Sequence, residues 1–446
     1  MSESRSSPKS LIRIELVIMG VLLSLGGQAF PQDGIWISKT PMPTARCCLA
    51  VGVLNENLYA VGGQLPSGGP NVVLGTAEVY NPKTSTWTTK APMPTPRYLL
   101  GAAVLAGTLY VVGGLDSTNF VTDVVEAYDP KTNTWAVRAS LPTPRAGLSV
   151  AVVDGILYAI GGVEIGFNNT NFNVVEAYDP NSNVWVTRTP MPTARCCMAV
   201  GVISGFIYVA GGTRSIGHGG TETPGALEVY NPRTDTWSTK ASMPTGRGGV
   251  AGAVVDGLFY VAGGILAPLN TELIQSTVEV YNPNTDTWSA RDSMPTRRWS
   301  PGAGVVEDSF YVIGGINLNS VVVNVNEAFS PFLPVPIDIK PGDAANTINL
   351  KARGTVQAAI LSSATFDAST VNPDTVELAG AGVSTIGRGT PWTSFRDVDR
   401  DGRLDLVVQF PIADLGLEAD DDEAVLKATT FSGQRIRGVD SIRLVP

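Results

Sequence analysis

The sequence predicts an all-β protein built from six tandem copies of one strand-rich unit, with a smaller β module behind them. Three observations carry that prediction. Gly-Gly pairs begin at Gly62, Gly113, Gly161, Gly211, Gly263 and Gly314, at spacings of 51, 48, 50, 52 and 51 residues. Each pair is followed by Glu-x-Tyr, with Phe329 in place of Tyr in the last copy, and in five copies a Trp stands seven residues beyond that aromatic. With 48 Gly, 31 Pro and only 16% charged residues, the composition suits a turn-rich β protein rather than a disordered chain.

A unit near fifty residues with this punctuation resembles the kelch repeat, and the resemblance spans roughly residues 34 to 331. It implies that each copy is one four-stranded blade, so that the six together form a six-bladed β-propeller. It implies little about activity, because propellers carry enzymes and passive binders alike.

Taken in order, residues 1–29 have the pattern of a secretory leader. Arg5, Lys9 and Arg13 precede an apolar run from Leu16 to Leu25, and Gly27-Gln28-Ala29 offers small residues for cleavage. Ten apolar residues are too few for a bilayer, which takes about 20. Export is therefore expected, with the mature chain secreted, periplasmic or on the cell surface and without a membrane span. Glu15 beside the run leaves an uncleaved anchor as the alternative.

Residues 30–332 form the expected propeller. In the second copy, GAAVLAG reads as the innermost strand, LYVVGG as the second, VVEAYDP as the third, and the run from Trp135 as the outer strand, all bounded by Gly, Pro, Asn and Asp. The last copy has Pro336 where an outer-strand Trp belongs, while Trp36 precedes the first copy with no strands ahead of it. Residues 34–39 should therefore complete the last blade and remove an exposed edge.

With the four strands antiparallel, the loops from strand two to strand three lie on the same face as the connections between copies. The opposite face carries only short, uniform turns. The two-to-three loops differ in every copy (QLPSGGPNVVLG, VEIGFNNTNFN, TRSIGHGGTETPG and ILAPLNTELIQ, among others), so binding is expected there.

Arg46, Arg97, Arg145, Arg195, Arg247 and Arg298 follow Met-Pro or Leu-Pro in every copy and are expected at the channel mouth. The kelch resemblance implies that such arginines can hold acidic partners. Glu78, Glu126, Glu176, Glu228, Glu279 and Glu327 recur as faithfully, so Arg–Glu pairing within the blades explains both sets. Departures from the repeat single out Tyr98 in copy two and Arg297 and Trp299 in copy six. With Arg97, Arg298 and His218 they are the candidate ligand contacts, because aromatic faces and guanidiniums suit sugars, carboxylates and peptide side chains. Filling space between blades is the alternative for the aromatics. Phe120, Phe167 and Phe172 are further loop candidates. Cys47-Cys48 and Cys196-Cys197 occupy the same place in copies one and four, expected on opposite sides of the channel; small core residues explain them, a vicinal disulfide or metal site being the alternative.

The chemistry available is limited. A single His excludes a multi-histidine metal site, and with it the ligand set of kelch-like copper oxidases. The Gly-Gly pairs close strands and do not open helices, so they make no phosphate loop. A net charge of −9 without a basic cluster argues against nucleic acid.

Residues 333–336 are expected as a linker, and 337–446 as a β-sandwich-like module. Ile337-Asp338-Ile339-Lys340-Pro341-Gly342 resembles an IDIKPG-type module carried by other secreted bacterial proteins. Within it, DVDRDGRLD places Asp397, Asp399, Asp401, Arg403 (through its carbonyl) and Asp405 at alternate positions, with Gly402 at the turn. Hard oxygen donors at this spacing fit Ca2+, although Val408 stands where an EF-hand has Glu. The loop resembles those of dockerins and integrin-type propellers, with calcium in a structural role. The acidic run Asp420–Glu423 reads as a solvated loop.

The function expected is that of a secreted binding protein presenting variable loops to a protein or carbohydrate ligand. The alternative is a carbohydrate-active enzyme, such as a kelch-type mutarotase or epimerase, working at the channel mouth. The sequence leaves the ligand and the oligomeric state open.

Overall fold

The computed structural model describes residues 34–65, 72–165, 170–216, 220–387 and 389–445. The leader at 1–29 and the candidates Phe167 and His218 lie outside these residues. Among the described residues no helix is long and apolar enough to cross a membrane.

The repeat folds into six four-stranded antiparallel sheets in chain order. In the second, Gly101–Leu105 is innermost, followed by Thr108–Val112, Val125–Asp129 and Thr134–Val137. Short β-branched and aromatic runs form these strands because both faces of each sheet pack on a neighbour. Tyr59, for example, packs across to Tyr128 of the next sheet, with ring centroids 5.9 Å apart. The innermost strands touch in a closed cycle, Ala50–Leu54 meeting both Gly101–Leu105 and Gly302–Val306.

The last sheet takes its outer strand from the N-terminal side. Ile35–Ser38 pairs antiparallel with Asn326–Ser330, setting Trp36 opposite Phe329. Trp36 fills the role of every other outer-strand Trp. Its Nε1 donates to the carbonyl of Asp292 at 2.8 Å, just as Trp87 reaches Thr40 and Trp135 reaches Ala91.

At the Gly-Gly pairs the strand ends pack directly on the backbone of the connections between sheets. Gly62 (φ +65°) would place a Cβ 2.6 Å from the Arg97 carbonyl of the next sheet, and Gly63 (φ +100°) one 2.7 Å from the Cys47 carbonyl. Only glycine accepts both the left-handed backbone and the missing space.

Residues 333–336 are not a free linker. Leu333–Pro334 pairs in parallel with Arg435–Ser441, and Val335 is buried in the C-terminal core. That core is a pair of facing sheets, one containing Ile337–Ile339, Thr355–Ile360 and Asp405–Pro411, the other Val371–Leu378 and Glu423–Thr430. Apolar alternation along Glu423–Thr430 turns Ala424, Leu426 and Ala428 inward. The IDIKPG stretch turns the chain at its end: Lys340 is left-handed (φ +57°), and its Nζ donates to Asp343 and to the Thr347 carbonyl.

The module rests on the short-turn side of the repeat region. Arg435 pairs with Asp256 and Lys427 with Asp308 at 2.6 Å, both aspartates lying in turns between first and second strands. Phe332 sits beneath these cations, 4.1 Å from the Arg435 guanidinium and 5.2 Å from the Lys427 ammonium. The two-to-three loops are left clear of these contacts.

Candidate functional site

The connection between sheets fixes most of the candidate residues. Each Pro-Thr-x-Arg stretch turns its arginine inward, where Arg and Thr share one glutamate. Arg145 donates to Glu176 at 2.6 Å and to the carbonyls of Thr143, Ala159 and Gly161, while the Thr143 hydroxyl donates to the other Glu176 oxygen at 2.8 Å. The other copies repeat the ion pair, Arg46 with Glu78, Arg97 with Glu126, Arg195 with Glu228, Arg247 with Glu279 and Arg298 with Glu327. All six arginines are 0% exposed.

The expectation that these arginines converge on the channel mouth is corrected accordingly. Arg97 faces Glu126 and the Gly113 and Val124 carbonyls, and Arg298 faces Glu327 and the Val312 carbonyl, rather than a ligand, because a buried guanidinium needs an opposite charge. Burial lowers their pKa values, opposed by the paired glutamates. The contribution of the threonines escaped the sequence reading; their recurrence two residues before each arginine was the available signal.

Two residues beyond each arginine, the chain makes a ring. Cys48, Leu99, Gly147, Cys197, Gly249 and Ser300 are all left-handed, with φ between +51° and +61°. Each donates its N–H to the equivalent carbonyl of a neighbouring sheet: Cys48 to Ser300, Leu99 to Cys48, Gly147 to Leu99, Cys197 to Gly147, Gly249 to Cys197 and Ser300 to Gly249, at 2.7 to 2.9 Å. This cycle closes on itself and forms the neck of the central channel. A cavity of about 120 Å³ at the neck is lined by these residues and by Leu49, Leu100, Leu148, Met198, Val250 and Pro301.

The pattern-breaking aromatics flank the neck. Tyr98 is 8% exposed, packs with Cys47, Leu115 and Ala146, and donates its hydroxyl to Asn119 at 2.8 Å. It fills the layer above the neck, with little surface left for a ligand. Trp299 is half-buried beside Gly249, and its Nε1 is buried without a hydrogen-bond partner, so only part of its ring reaches the surface. Arg297 is exposed and lines a cleft of about 370 Å³ with Pro295, Thr296, Asn317, Leu318 and Asn319. Arg297, and the exposed part of the Trp299 ring, are the described candidates open to a ligand. Phe172 is half-buried.

The loops add a feature the sequence reading noted only at Phe120. Each of the six two-to-three loops exposes an apolar side chain: Val72, Phe120 (70% exposed), Ile165, Ile216, Leu269, and Leu318 with Val321. The opposite turns offer Phe206.

In the C-terminal module, carboxylate oxygens of Asp397, Asp399 and Asp405 lie within 4.8 Å of one another. Asp405 is fully buried and accepts the N–H groups of Ser362 and Val398; Asp397 accepts those of Asp401 and Gly402. Asp401 is turned aside to pair with Arg403, and its pKa is lowered by hydrogen bonds from the Arg403 backbone and side chain. The structure therefore gathers three of the four aspartates expected as ligands, with Arg403 engaging Asp401 through its side chain.

Comparison with known proteins agrees with this architecture. The family described as "Attractin/LZTR1 beta-propeller" matches residues 58–324, more than half of the chain. The chain is 26% identical over 366 residues to "Kelch-like protein terF" of Aspergillus terreus, covering 75% of this chain and 57% of that protein. It is 36% identical over 96 residues to human "Kelch-like protein 28", covering 21% of this chain and 17% of that protein. The chain thus spans less than two thirds of these relatives. Among solved structures, "Structure of YjhT" superposes with a TM-score of 0.55 at 18% identity, covering 66% of this chain and 97% of that one, a likeness of fold.

Proposed function

Since the chain belongs to the attractin/LZTR1 β-propeller family, of kelch type, we propose that it is a binding protein in which a six-bladed propeller holds a protein partner on its two-to-three loops. The observation that supports this most is the exposed apolar residue on every one of the six loops, with Arg297 beside them. Apolar groups gathered on one face, rimmed by polar loops, suit a protein surface better than a sugar. The enzymatic alternative, a sugar mutarotase or epimerase at the channel mouth, is disfavoured by the burial of Arg298 and the apolar lining of the neck.

The proposal includes export, on the strength of the leader-like residues 1–29, and structural Ca2+ at Asp397, Asp399 and Asp405. Both parts are testable. Calcium should raise the melting temperature of the mature chain, and Asp399→Ala should abolish that rise. An unchanged melting temperature on adding calcium removes the metal. A screen of the mature chain against protein and glycan arrays, with and without calcium, should return protein ligands without turnover. Sugar-dependent turnover lost in Trp299→Ala would favour the enzyme instead.

A further inference from the structure

The two Cys-Cys pairs sit at the neck, at positions where the scaffold does not require sulfur. Cys47 and Cys196 lie in extended backbone, bridged to Gln64 and Thr213, while Cys48 and Cys197 are left-handed, with φ +57° and +59°. Adjacent side chains along an extended strand point to opposite faces. The left-handed step instead folds the second thiol back onto the first, so that Sγ lies 3.3 Å from Sγ in both pairs. Copies two, three, five and six carry Tyr-Leu, Ala-Gly, Gly-Gly and Trp-Ser at these positions, so the ring closes equally well without sulfur.

Cys48 and Cys197, three steps apart in the six-membered cycle, line the 120 Å³ cavity from opposite sides. All four thiols are free, and Cys197 is the most accessible. In each pair the hydrogen bond between the thiols lowers the pKa of one sulfur (Cys47, Cys197) and raises that of the other.

The sulfur separation in the free pairs suits a narrow S–ion–S angle. Taking a thiolate–ion bond of about 2.3 Å, as zinc makes, a linear two-coordinate ion needs sulfurs about 4.6 Å apart and a tetrahedral one about 3.8 Å. At 3.3 Å the two sulfurs subtend an angle of roughly 90° at the ion, the pyramidal geometry of a trivalent centre with a lone pair. A structural zinc site wants four protein ligands, and among the described residues the one group of three or more His, Cys, Asp or Glu close enough to share an ion is the aspartate set of the C-terminal module.

We propose that each Cys-Cys pair at the channel neck is a chelating dithiol site for trivalent arsenic, taken from solution as arsenous acid. The reaction is a condensation without change of oxidation state. Two thiols displace two hydroxyls of As(OH)3, two As–S bonds form as two As–O bonds break, and the thiol protons leave with those hydroxyls as two waters. The remaining As–OH projects into the neck cavity among Leu49, Leu99, Leu148 and Met198.

The test uses the mature chain, reduced, freed of reductant, incubated with sodium arsenite and weighed intact by native mass spectrometry. Two arsenic atoms per chain are expected, together with loss of all four thiols toward a monofunctional alkylating reagent. Cys47→Ala/Cys48→Ser should leave one arsenic, and adding Cys196→Ala/Cys197→Gly should leave none. These replacements copy residues the fold already uses at equivalent positions (Ala146, Ser300, Gly147), so the variants should melt like the parent. No arsenic uptake by the folded parent overturns the proposal, whether the thiols alkylate or not. So does a single arsenic per parent chain, which would mean bridging between pairs, or uptake that persists in the quadruple variant.

Discussion

At the scale of single residues, Arg145 shows what the charges recurring in every copy do. Its guanidinium is fully buried, paired with Glu176, and donates to three backbone carbonyls, while Thr143 satisfies the second carboxylate oxygen. Removing one partner leaves the other charge buried alone. Arg145→Met or Glu176→Gln should therefore each cost about 3–5 kcal/mol of unfolding free energy in denaturant titrations. The double variant Arg145→Met/Glu176→Leu should cost less than the sum, because neither charge is then stranded. Additive losses would show that the pair acts mainly through its separate backbone contacts. The pairing was legible in the sequence because Arg and Glu recur together in every copy. Which side of the connection each arginine takes was not, and this misplaced Arg97 and Arg298. The buried glutamate of the third strand decides it, drawing the guanidinium into the sheet.

At the scale of elements, the strand Ile35–Ser38 carries the most consequence for its length. It supplies the outer edge of the last sheet, packs Trp36 at a tilt against Phe329 with ring centroids 5.3 Å apart, and ties the sheet to Asp292. Deleting residues up to Ser38 should bare the edge of Asn326–Ser330 and promote concentration-dependent association, read by light scattering. It should also speed proteolysis near residues 326–334. Scattering and cleavage identical to the intact mature chain would show that the strand is dispensable. This closure was readable from the missing Trp at position 336 and the surplus Trp36. The pairing of Leu333–Pro334 was not readable, because two prolines among four residues look like a linker. Pro334 is tolerated because it lies in a short two-residue pairing that needs little from its nitrogen.

At the scale of the whole molecule, two faces have been given different work. The turn face meets the C-terminal module through Asp256, Asp308 and Phe332, and the loop face is left with its apolar side chains exposed. Loop variability pointed to that face from the sequence. The one-per-loop placement of Val72, Phe120, Ile165, Ile216, Leu269 and Leu318 did not stand out, since single apolar residues in polar loops carry no signal until the fold brings them to one side. The most direct measurement is the affinity of a captured protein partner for three chains: the parent, Phe120→Asp/Leu318→Asp on the loop face, and Phe206→Asp on the turn face. All three positions are exposed, so stability should hold. Binding through the loops predicts that the loop-face variant loses at least about tenfold in affinity while Phe206→Asp binds like the parent. Undiminished binding by the loop-face variant, or a loss confined to Phe206→Asp, would contradict it.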